Sequence, residues 1–237
     1  MSTPRRRFLG WLGSASLLSA VGSPSLLRAD AGQRGPLTDR HALPLADPHA
    51  LPVAETWDMS WTSRVTGKYK AVFDSPEAAD GAAVYRAVSW IEQYKEIYNA
   101  APTEMSAVVV LRHLGFFFAM NDEYWERYEV GKELKIRDDK GRKWTKINPL
   151  GPAGAGADEK SKKFSLAGFQ AGGGIVLACA WSFGGAVAAV TKGEKLDREA
   201  AKARARELLM PGVILQPNGI FAALRAQEAG CSYVLAS

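Results

Sequence analysis

Gly172-Gly173-Gly174-Ile175-Val176-Leu177-Ala178-Cys179 decides how the rest of the chain is read. A glycine run opens the stretch, four apolar residues follow, and a cysteine closes it. A short apolar run bounded by glycine reads as a buried strand. In an open α/β sheet, ligands and chemistry gather beyond the carboxyl ends of the strands. Cys179 therefore falls on the edge where a reaction is expected, where the chain turns toward Ser182 to Thr191. The glycines precede the strand rather than follow one, so they are not a dinucleotide fingerprint. No phosphate loop is evident either, and no cofactor is expected.

Working outward, the flanking segments take the same form. Met105 to Arg112 is a run of consecutive apolar residues that suits a parallel strand buried on both faces. Tyr69 to Phe73, Val213 to Gln216 and Ser232 to Ala236 are further strands. Between them lie helical patterns. One runs from about Pro76 to Asn99, with Ser75 as N-cap, Pro76 at the first helical position, and Val84, Ala87, Val88, Ile91 and Tyr98 on one face. Phe116 to Tyr128 and Ser165 to Ala171 read as helices, and an apolar segment follows Cys179 through Val190. Leu196 to Met210 is an alternating-charge helix stopped by Pro211-Gly212. Ile220 to Ala229 is a helix ended by Gly230. Glu133 to Asn148 alternates with period two around Asp138-Asp139-Lys140-Gly141 and predicts an inserted β-hairpin. Pro149 to Lys163 reads as a loop. The element order predicts an α/β fold, a mostly parallel sheet of about five strands with helices on both faces and a hairpin insertion at about 131–164.

The amino terminus carries an address. Arg5-Arg6-Arg7-Phe8-Leu9 resembles a twin-arginine export signal, with a broken apolar stretch from Phe8 to Val21 and Ala29-Asp30-Ala31 as a cleavage site. The apolar stretch is too short for a bilayer span, so no stable membrane span is expected after cleavage. The reading divides the chain into a signal peptide (1–31), a Pro-rich tether and lead-in (32–67), and an α/β domain (68–237). It makes the protein periplasmic or otherwise exported, with the twin-arginine machinery as a partner. Arg5, Arg6, Arg7 and Arg28 against Asp30 account for +3 of the formal charge of +5, leaving +2. That balance gives no reason to expect nucleic-acid binding. His41 and His49 lack a third ligand nearby, and no Cys, His and carboxylate cluster has metal-ligand spacing, so no metal site is expected.

Several quoted segments together resemble the DsrE/DsrF-like sulfur-relay family. They are Gly173 to Cys179, Leu208-Leu209-Met210-Pro211-Gly212-Val213, Pro217-Asn218-Gly219-Ile220, and Arg225 to Tyr233. The resemblance covers roughly Lys68 to Ser237 and is most specific in the last third. It implies a small five-stranded α/β fold that forms homo-oligomers. It also implies that the strand-end cysteine, here Cys179, accepts sulfane sulfur as a persulfide, exchanged with a donor or acceptor protein or a small ligand.

The residues themselves suggest a site on one edge. A strand-to-helix junction offers backbone N–H groups and a helix dipole to an anionic sulfur at Cys179. His113, at a strand carboxyl end, could lie across the same cleft as base or positive partner. Gln216 and Asn218 end a further strand and would line the cleft as substrate-binding amides. The competing reading is structural. Free cysteine often behaves as a small buried hydrophobe, a lone histidine is more often structural, and Asn218-Gly219 is turn chemistry. The chain would then be a non-enzymatic ligand-binding or assembly module. Cys231 precedes its strand whereas Cys179 follows one. In a parallel sheet that puts them roughly 15 Å apart, too far for a disulfide.

Overall fold

The computed structural model describes residues 56–138, 140–152 and 158–237. The export signal and most of the tether lie outside the described residues, as does Asp139 at the tip of the expected hairpin. Five strands form: β1 (Tyr69–Ser75), β2 (Met105–Leu111), β3 (Ile175–Cys179), β4 (Ile214–Gln216) and β5 (Ser232–Leu235). All four pairings are parallel, in the order β4-β3-β2-β1-β5. The expected sheet is therefore present, with β1 and β2 in register from Tyr69↔Met105 to Ser75↔Leu111.

Around the sheet run α1 (Ala82–Tyr98), α2 (Asp122–Arg127), α3 (Val130–Glu133), α4 (Glu159–Lys163), α5 (Leu166–Ala171), α6 (Ala180–Glu194), α7 (Arg198–Glu207) and α8 (Gly219–Glu228). Strand alternation sorts the apolar residues onto two faces. Ala71, Phe73, Val109, Leu111, Val176 and Ala178 pack with Val84, Ala87 and Val88 of α1, Phe169 of α5, and Phe183 and Val190 of α6. Val72, Val108, Val110, Ile175 and Leu177 face the other way, under Ala222 and Ala226 of α8 and beside Trp61 of a short 3-10 turn, Ser60–Arg64. Each fully buried valine or leucine here contributes about 1.5–3 kcal/mol. Because both faces are covered, the central strands tolerate no polar alternation.

The glycine run is needed at the entrance to β3. Gly172 closes α5, and Gly173 has φ of +91°, a conformation favourable to glycine. At Gly174 a Cβ would lie 2.5 Å from the Phe169 ring, so the chain can enter the core only without a side chain.

Four local expectations need correction. The end of the expected loop Pro149 to Lys163 is helical, as α4. Ser75 does not cap α1. It ends β1, and the chain then passes through a 3-10 turn, Ala79–Gly81, with φ of +40°, +52° and +79°, before α1 begins. Phe116 to Tyr128 is not one helix. A 3-10 segment covers His113–Ala119 and α2 starts afresh at Asn121, whose side chain accepts from Tyr124 N–H at 3.0 Å. The hairpin of Glu133 to Asn148 is reduced to one antiparallel bridge, Arg137↔Trp144. Its first arm is lost because Leu134 caps α3 and Lys135 has φ of +59°. The Arg137 guanidinium instead stacks on the Trp144 ring at 3.9 Å.

Candidate functional site at the carboxyl edge of the sheet

The site is built by register. Ile175 and Leu177 face α8, so Cys179, two residues on, ends β3 on the same face. Across the ladder Cys179 pairs with Gln216, the last residue of β4. On the other side Leu111 pairs with Ala178, so the next step sets Arg112 beside Cys179. Arg112 is still extended, with φ of −140° and ψ of 165°, and its N–H donates to Ser75 O at 3.1 Å. The row on the α8 face is thus Gln216, Cys179, Arg112. Gly219 of α8 sits on this row, where a Cβ would come within 2.4 Å of Arg112 Cδ.

Cys179 is a free thiol, 5% exposed, at the N-cap position of the 15-residue helix α6. Its side chain makes no capping hydrogen bond. Negative charge that develops on its sulfur faces the positive end of the α6 dipole. Cys231 is also free and equally buried, but it lies at the opposite edge, just before β5. Burial pushes its thiol up to about 11.

Gln216 is fully buried. Its Nε2 donates to Asp58 O at 2.8 Å and to Leu215 O at 3.0 Å, and its Oε1 is buried without a partner. Asn218 is the N-cap of α8, its Oδ1 accepting from Phe221 N–H at 2.8 Å. Its oxygen therefore serves the helix start, as turn chemistry would have it. His113 has φ of +50° and is tied to the same edge through its backbone, N–H donating to Ser182 Oγ of α6 at 2.9 Å. Its ring is half-exposed and leans over the exit from β1, with Nδ1 3.2 Å from Pro76 O and 4.0 Å from Glu77 Oε1. Register thus brings Cys179 and Gln216 side by side, with Asn218 and His113 at the rim of the same edge.

Sequence reasoning missed a charged cluster one strand away. Asp74 is 2% exposed and accepts from Arg112 Nε and Nη2, both at 2.8 Å, and from Tyr233 Oη at 2.7 Å. The hydrogen bond to Asp74 is the main force raising the Arg112 guanidinium above its ordinary value, and the main force raising the Tyr233 phenol. The available signal was one acid and one base at the carboxyl ends of two apolar strands. Trp61 was also missed. It is fully buried on the α8 face, and its Nε1 has no partner.

A surface cavity of about 500 Å³ lies elsewhere, among Trp125, Glu129, Lys143, Trp144 and Ile147, and none of the row residues lines it. Ion pairs at 3.0 and 3.1 Å, Lys146 to Glu126 and Lys132 to Glu129, occupy much of its charge. The sheet edge is therefore the better candidate. Among the described residues no helix is long and apolar enough to cross a membrane, and no group of three or more His, Cys, Asp and Glu is placed to hold a metal ion.

No known family model matches this chain, and neither the curated proteins nor the solved structures contain a detectable relative.

Proposed function

We propose that the chain is a thiol-dependent sulfur carrier or sulfurtransferase in which Cys179 accepts sulfane sulfur. The observation that carries the reading is the position of Cys179, at the carboxyl end of a buried parallel strand and at the start of a long helix. In the step proposed, the Cys179 thiolate attacks the terminal sulfur of a hydropolysulfide. The Sγ–S bond forms and the donor S–S bond breaks. The electron pair leaves on the shortened polysulfide, and the transferred sulfur keeps its hydrogen. The α6 dipole stabilises charge on the sulfur, and His113 at the rim exchanges protons with solvent. The twin-arginine motif supports an exported activity, and the resemblance to the sulfur-relay family supports a homo-oligomer.

The test is alkylation of the folded full chain at neutral pH, read by intact mass in a Cys231→Ser background. Labelling of Cys179 in the folded state, and a gain of one sulfur from polysulfide, are the expected results. A thiol that reacts only after unfolding overturns the reading.

One observation favours a second reading, a binding or assembly module with a structural Cys179. The edge strand β5 exposes Tyr233, Val234 and Leu235, and α8 exposes Ile220 and Leu224. Incubation with polysulfide separates the two, because an assembly module gains no sulfur at Cys179 and keeps its oligomeric state throughout.

A further inference from the structure

Two side-chain atoms among the described residues are buried without a hydrogen-bond partner, and they are complementary. Trp61 Nε1–H is a donor and Gln216 Oε1 is an acceptor. Both residues are 0% exposed. They also belong to one place. Gln216 Nε2 donates to Asp58 O at 2.8 Å, and Asp58 leads directly into the 3-10 turn that carries Trp61. Trp61 packs in the same apolar layer as Leu177 and Ile214. These precede Cys179 and Gln216 in their strands by two residues, or roughly 7 Å. Gln216 is in register with Cys179, on the same face. Its Nε2 is spent on Asp58 and Leu215, so Oε1 is the end left for the layer that holds the thiol.

Leaving a buried donor and a buried acceptor unmet is costly. A small group with one hydrogen to give and one lone pair to offer meets both. Arg112, next along the row, is already paired with Asp74. The subsite therefore suits a neutral group rather than an anion.

We propose that Trp61 and Gln216 form the subsite for the outer sulfur of a Cys179 hydropersulfide. Its S–H donates to Gln216 Oε1, and its lone pair accepts from Trp61 Nε1–H. The subsite holds protonated sulfane sulfur away from water until an acceptor arrives. This rests on the reading of Cys179 as a sulfur acceptor.

The experiment loads the full-length Cys231→Ser protein with sodium polysulfide and follows loss of the added sulfur by intact mass. Trp61→Phe and Gln216→Met are compared with the parent. The parent should gain one sulfur, and each variant should lose it roughly two- to tenfold faster, the worth of one net hydrogen bond. The indole N–H resonance of Trp61 should move downfield on loading. If the parent loads, both variants retain sulfur as long as it does and the resonance stays put, the subsite is overturned while the sulfur reading stands. A parent that gains no sulfur overturns both. Should Trp61→Phe fail to fold, Gln216→Met and the resonance decide the matter. A crystal structure of the loaded protein with water between Trp61 and Gln216, and the outer sulfur elsewhere, also overturns it.

Discussion

The two halves of the carboxyl edge handle buried polarity in opposite ways. On the side of β1, β2 and β5, both oxygens of Asp74 are claimed, by Arg112 and Tyr233, in a cluster of three hydrogen bonds. On the side of β3 and β4, Gln216 Oε1 and Trp61 Nε1 are buried and unclaimed. A satisfied cluster fastens strands together. An unsatisfied pair beside a thiol lowers stability and leaves a place for a ligand. The two halves should therefore respond differently to mutation.

The largest effect is expected at Asp74→Ala. It leaves the partly exposed Arg112 and the Tyr233 hydroxyl without their acceptor and should cost about 2–3 kcal/mol, read from the shift in urea midpoint. A loss below about 1 kcal/mol would dissolve the contrast. Next comes alkaline pH. The folded chain keeps the Cys231 proton up to about 11, whereas an unperturbed thiol loses it near 9. The unfolded state thus binds fewer protons between these values, and stability falls as pH rises through that window. The contribution is on the order of 2 kcal/mol. Cys231→Ala should flatten that slope, and an unchanged slope would place the alkaline loss elsewhere, for example at Tyr128, whose phenol burial pushes up to about 12. Removing one bond from the satisfied cluster by Tyr233→Phe should cost about 1 kcal/mol, since the ring is partly exposed. Asn218→Ala should cost about 1 kcal/mol through loss of the α8 cap. Gln216→Met is expected to change stability least. It gives up the Asp58 contact but removes an unmet acceptor, so the net should stay within about 1 kcal/mol of zero. A loss as large as that of Asp74→Ala would mean that the two halves are built alike.

Much of the fold was legible because apolar runs flanked by glycine and proline leave few alternatives. Val108 to Leu111 and Ile175 to Ala178 have no polar residue to turn outward, so they had to be central strands. Strand direction alone put Cys179 and Gln216 on one edge of the sheet, and their side-by-side placement depends on β4 lying next to β3. The 131–148 region misled because its period-two pattern is real, but a short helix and a left-handed Lys135 consume the first arm. The start of α1 misled because Ser75-Pro76 is good capping chemistry, while β1 had a prior claim on Ser75. Asp74 and Tyr233 could not be paired from sequence, since their contact depends on β5 lying next to β1 rather than next to β4.

That last adjacency has a consequence for biosynthesis. Tyr233 and Asp74 are 159 positions apart, and β1 gains its second neighbour only through that distant strand. During synthesis β1, β2, β3 and β4 can associate early, but one flank of β1 stays open until the β5 segment has left the ribosome. Closing so long a loop is slow, and the open flank is a template for wrong pairing in the meantime. The last pairing therefore acts as a checkpoint, and a nascent chain is at its most aggregation-prone just before that pairing forms.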